Sequence, residues 1–197
     1  MLSALTIILA MLIHESLIQT FVVPSSSMEP TLLTGDYILV NRTAYGWNLP
    51  FFDIHLGKQL RPKRWDVVVF SRPESLGEDV SPSVSYLVKR IVGLPGETVM
   101  FRGGNILING SPLDHPVISP ESFASLISIF ETRNSGPIFL SDKQYFVLGD
   151  NLEDSSDSRV FGPIDEKTLV GRVAFIYWSL EDDGPESRKV RWERIGG

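Results

Sequence analysis

The chain changes character once, at Pro24, and that change limits the folds open to it. Before Pro24 it is apolar, reading LSALTIILAMLI from Leu2 to Ile13 and, after His14, Glu15 and Ser16, LIQTFVV. A helix rising about 1.5 Å per residue needs about twenty such residues to cross a hydrocarbon core. The unbroken run here is about a dozen, the length at which a membrane span, a cleaved secretory signal and a buried core helix compete. A cleavable signal carries a positive start and a small-x-small cleavage site. No Lys or Arg precedes Arg42, and no such site precedes Pro24. Residues 1–23 therefore read as one transmembrane anchor, a single helix with His14 and Glu15 near a headgroup interface. Loop charge leaves its direction open.

From residue 24 to 197 the pattern is short β-rich runs punctuated by Gly, Pro, Asn and Asp. DYILVN (36–41), WDVVVFS (65–71), SVSYLVKRIV (83–92), QYFVLGD (144–150) and LVGRVAFIYWS (169–179) are strand candidates. ETVMFRG (97–103) and NILING (105–110) meet at Gly103 and Gly104, a hairpin signal. The expectation is a mainly antiparallel β domain, sheet or barrel-like. One helix is possible at residues 120–131, and exposed loops are expected at 75–82 and 181–188. With 197 residues and 43% hydrophobic content the chain can fill one core, with room for a smaller lobe.

A formal charge of −6 argues against a nucleic-acid partner, since phosphate binding wants clustered Lys and Arg. Cysteine is absent, which removes disulfides, thiolate metal sites and a cysteine nucleophile. His14, His55 and His115 are scattered without metal-ligand or triad spacing, so no metal and no cofactor is expected.

Three clusters carry chemistry. PSSSMEPTL (24–32) follows the apolar segment directly; its prolines stiffen both sides of a serine run placed where the chain would leave a bilayer. In YLVKRIVGLPGE (86–97), Lys89 and Arg90 adjoin on an apolar strand, and alternation points one of the two inward. A buried lysine loses preference for its charged form and becomes usable as a general base. GDNLEDSSDSRVFGPI (149–164) crowds small polar groups behind a hydrophobic strand, and a serine there can orient a lysine amine.

In this order and spacing the three clusters resemble the signature boxes of bacterial type I signal peptidases. The resemblance runs from about Phe21 to the terminal VRWERIG. It implies Ser27 as nucleophile, Ser25 as oxyanion-hole hydroxyl beside the Ser27 N–H, and Lys89 as general base. It further implies Ser155 as the hydroxyl that orients the lysine, with Arg90, Asp157 and Arg159 in structural support. KRWDVVVF (63–70) resembles an intervening box that usually has glycine where this chain has Trp65, and Ser26 stands where many members have glycine. The implied protein is a single-pass serine endopeptidase of the bacterial inner membrane, its catalytic domain on the outer face. It would cut preprotein signal peptides after small residues of A-x-A type, with the lipid bilayer as its other partner. The extended substrate would lie along residues 83–89, and the aromatics of GWNLPFF (46–52) are candidates for the membrane interface. A related Ser/Lys maturation protease and a non-catalytic, membrane-tethered β module are the alternative readings.

Overall fold

The computed structural model describes residues 17–45, 47–49, 54–56, 60–73, 85–114, 116–117, 136–182 and 188–196. The strands are β1 (Ile18–Val22), β2 (Asp36–Asn41), β3 (Trp47–Leu49), β4 (Ile54–Leu56), β5 (Val67–Ser71), β6 (Tyr86–Gly93), β7 (Thr98–Arg102), β8 (Asn105–Ile108), β9 (Ser111–Pro112), β10 (Ile138–Phe139), β11 (Gln144–Leu148), β12 (Ile164–Asp165), β13 (Leu169–Asp182) and β14 (Arg188–Val190). A single helical turn, α1, covers Ser158–Phe161. The chain divides into two compact units, one built from Met1–Pro24, Thr34–Pro62 and Val170–Gly197, the other from Ser25–Leu33 and Lys63–Leu169. The mainly antiparallel β expectation holds, and each strand candidate read from the sequence contains a strand.

In the first unit, β1 pairs antiparallel with β2 from Ile18↔Asn41 to Val22↔Tyr37, and β2 pairs on its other side with β13. The end of the apolar N-terminal segment is thus a strand, which corrects the single helix expected up to residue 23. Leu17 and Val23 form backbone hydrogen bonds with Arg42 and Asp36, and by alternation Gln19 and Phe21 between them turn their backbone groups to β2, while Phe21 and Val22 favour the pleated surface. Residues 1–16, the bulk of the expected anchor, lie outside the described residues. Among the described residues no helix is long and apolar enough to cross a membrane. Asp36, Ile38 and Val40 turn one face of β2 fully inward. Gly35 leads into this strand at φ +87°, and a Cβ there would lie 2.1 Å from the Leu180 carbonyl oxygen, so only glycine fits.

In the second unit, β5 pairs with β6 from Val67↔Arg90 to Ser71↔Tyr86, β6 with β11, and β11 with β12, all antiparallel. A smaller sheet runs in the order β10, β7, β8, β9. The β7–β8 turn is the one expected: Gly103 and Gly104 both take positive φ, the demand of a two-residue turn whose twist matches the strands. Between the sheets lies a core of Val92, Val99, Phe101, Ile106, Ile108, Leu140, Phe146, Leu148 and Leu152. Side chains of this size contribute about 1.5–3 kcal/mol each when fully buried. That fixes β6 and β11, the two strands that lead to the polar clusters. The expected helix at 120–131, the 75–82 loop, most of the 181–188 loop and the side chains of GWNLPFF fall outside the described residues.

Candidate active site

Ser27 sits on a 3-10 turn, Ser26–Met28, closed by the Glu29 N–H donating to the Ser26 carbonyl at 2.9 Å. Met28 is 1% exposed and plugs this turn into the unit, so the turn cannot drift although it is short. Lys89 comes from the middle of β6, opposite Val68 of β5. Alternation predicts one inward residue of the Lys89–Arg90 pair, but both are buried, because β6 is covered on each face. The two side chains diverge from there.

The Lys89 Nζ donates to the Ser27 Oγ at 2.6 Å, and the Ser25 Oγ lies 3.3 Å from the Ser27 Oγ. Burial lowers the lysine pKa from 10.5 to about 8, against the opposing pull of the Asp157 and Asp150 carboxylates. At pH 7 roughly one amine in ten is then neutral, against about one in three thousand for an unshifted lysine. The arrangement is a buried amine able to take a proton from the hydroxyl it touches.

Arg90 turns the other way and grips Asp150 with two bonds, Nε to Oδ1 at 2.7 Å and Nη2 to Oδ2 at 2.6 Å. It also donates to the Trp65 carbonyl and to the Thr31 Oγ1, while Thr31 donates to Asp150. One guanidinium therefore ties β6, the serine segment and the loop after β11 together. That loop starts at Gly149, where a Cβ would lie 2.2 Å from the Ser155 Oγ and 2.4 Å from the Ser27 carbonyl oxygen. Any side chain there would push the loop off the serine turn. Next to it the Asn151 N–H donates to the Ser27 carbonyl at 3.1 Å and the Asn151 amide to the Ser26 carbonyl at 3.3 Å.

Asp157 caps α1 and accepts from the Gly149 N–H, and its carboxylate takes both the Nε and the Nη2 of Arg159 at 2.8 Å. The expected ion pair is present. The Ser155 Oγ is buried against Gly149 and has no hydrogen-bond partner, so in this structure it does not bond the Lys89 amine. The amine's bond goes to Ser27 instead. Sequence reading passed over Asp150, Asn151 and Thr31. The available signal was an Arg on an apolar strand, which needs a buried carboxylate, and GDN is the acidic turn nearest another core strand. Among the described residues no three His, Cys, Asp or Glu side chains gather as a metal site.

Residues 1–178 match the family described as signal peptidase, peptidase S26. A signal peptidase I from Leptolyngbya laminosa is 33% identical over 178 residues, covering 89% of this chain and 76% of that one. Signal peptidase I T of Bacillus subtilis (strain 168) is 32% identical over 180 residues, covering 90% of this chain and 83% of that one. A crystal structure of a signal peptidase I from Enterococcus faecalis V583 is similar at 28% identity and a TM-score of 0.41, covering 58% of this chain and 98% of that one. With a family match over most of its length and relatives above 30% identity, the chain belongs to the signal peptidases of peptidase family S26, as a serine endopeptidase of the bacterial type I group.

Proposed function

We propose that this protein is a membrane-tethered signal peptidase that cuts exported preproteins with a Ser27–Lys89 dyad. The observation that carries the reading is the 2.6 Å contact between a buried lysine amine and the Ser27 hydroxyl. Neutral Lys89 takes the hydroxyl proton as the Ser27 Oγ attacks the scissile carbonyl. The developing oxyanion is held by the Ser27 N–H and the Ser25 hydroxyl. Lys89 then gives its proton to the leaving amine, and in the second half-reaction it activates the water that hydrolyses the acyl-enzyme. Once Ser27 is acylated its oxygen no longer serves the amine as before, and the unpartnered Ser155 hydroxyl is the group suited to orient it.

Substrate geometry fits the same place. β11 pairs with β6 only over Arg90–Gly93, so that side of Leu87–Lys89 has no strand partner among the described residues. An extended peptide adding there as a strand would run its scissile bond toward Lys89. Small residues of A-x-A type are the expected selection. Residues 1–13 are the apolar stretch available for the tether, and the resemblance to bacterial type I signal peptidases assigns the catalytic domain to the outer face of the inner membrane. The test is cleavage of a purified preprotein in detergent by wild type, Ser27→Ala and Lys89→Met. Wild-type cleavage at the signal-peptide junction with both variants inactive supports the reading, while a wild type no faster than the variants returns the chain to the class of tethered binding modules.

A further inference from the structure

The loop after β11 holds the serine turn by a third contact that the dyad does not require. The Ser26 Oγ donates to the Asp154 Oδ2, joining residues 128 apart in sequence. Together with the two Asn151 bonds, the residue 151–154 stretch grips the Ser26 hydroxyl, the Ser26 carbonyl and the Ser27 carbonyl. A trans peptide is planar, so its C=O and N–H point opposite ways. Fixing the Ser26 carbonyl therefore aims the Ser27 N–H, the backbone donor of the proposed oxyanion hole.

We propose that Ser26 and Asp154 form a clasp that positions the Ser27 N–H and Oγ for attack. The inference rests on the protease reading given above. The clasp touches no reacting atom, so both are positioning residues. Its effect falls on transition-state geometry, where a small misplacement of an oxyanion donor is costly, and little on substrate binding. Asp154 has a second, weaker influence: with Asp157 and Asp150, and against Arg159, it supports the charged form of Lys89.

The experiment uses the full chain in detergent and a preprotein-derived peptide with alanine at both small-residue positions, with rates normalised to the amount of Ser27 acylated in the burst. Ser26→Ala and Asp154→Ala should each lower kcat by about 3- to 10-fold, the scale of one solvent-exposed hydrogen bond, with KM within about twofold. The double variant should be no slower than the slower single one, and Ser26→Thr, which keeps the hydroxyl, should recover most of the rate. The acid limb of the pH profile should move down in Asp154→Ala and stay in Ser26→Ala, because only the former removes a charge. A Ser26→Ala enzyme with wild-type kcat, or losses that multiply in the double variant, would overturn the clasp while leaving the protease reading intact. A wild type no faster than Ser27→Ala would overturn both.

Discussion

In the first unit Asp36 is fully enclosed, and it meets a complete set of partners. The Ser179 hydroxyl donates to it at 2.6 Å, Arg194 donates from Nε and Nη2, and Arg191 stands 3.8 Å away. In the second unit Lys89 is 2% exposed and meets one neutral hydroxyl. Its chain neighbour Arg90 repeats the Asp36 arrangement, bidentate on Asp150. Burial is common to all three, so burial alone does not mark the reactive group. What separates them is compensation: Asp36 and Arg90 each face an opposite charge within hydrogen-bond distance, whereas the Lys89 amine touches only a neutral hydroxyl and burial lowers its pKa to about 8.

The largest effect that can break this contrast is on turnover. Ser27→Ala and Lys89→Met should each lower kcat by about 10⁴- to 10⁶-fold, and the double variant should be no worse, because the proposed nucleophile and base would act as a unit. Wild-type kcat/KM should rise tenfold per pH unit on the acid side and level off near pH 8, where the amine loses its proton. A profile levelling off near pH 10 would show a solvated lysine and erase the distinction from an ordinary surface cation.

Stability sharpens the contrast because the two centres should respond with opposite sign. Asp36→Ala leaves Arg194 without its carboxylate and should destabilise the protein by about 3–5 kcal/mol in urea unfolding. For Lys89 the folded pKa of about 8 lies below the unfolded 10.5, so the unfolded chain binds more protons between those values. Stability should climb as pH rises from about 8 to 10.5, and below 8 the full penalty of burying the ammonium is present. Lys89→Met removes that penalty and should stabilise the inactive enzyme at pH 7 by up to about 3 kcal/mol. If it destabilises instead, the amine is compensated after all.

The same contrast explains what was legible beforehand. Apolar strand runs and the Gly103–Gly104 turn are local signals, and the strands from DYILVN to LVGRVAFIYWS appear where those signals stand. That Ser27 and Lys89 belong together was legible through motif order, and the structure sets the amine 2.6 Å from the hydroxyl. β1 was not, because an apolar run next to a longer apolar run carries no period of its own, and only pairing with β2 makes Ile18–Val22 a strand. Asp150, Thr31 and Asn151 were hidden for a related reason. Their roles depend on which strands the sheet order makes neighbours, which residue spacing does not encode.

Trp65 offers the smallest and most diagnostic effect. Its φ of +76° lies in the left-handed region, where an L side chain costs about 1–2 kcal/mol and glycine nothing. The backbone is held there from both sides: its N–H donates to the Ile91 carbonyl at 2.8 Å, and its carbonyl accepts from the Arg90 Nη1 at 2.9 Å. The indole, packed on the core beside β6, offsets this strain. Trp65→Ala should therefore lose the packing and keep the strain, while Trp65→Gly loses both. Urea unfolding should find the glycine variant about 1 kcal/mol more stable than the alanine one, the reverse of the order at ordinary positions. With Arg90 still held by the residue 65 carbonyl in either variant, the pH at which kcat/KM levels off should stay near 8. A shift of that pH would mean that Arg90 is coupled to its neighbour Lys89, and the separation drawn between a compensated and an uncompensated buried cation would fail on the very strand that carries both.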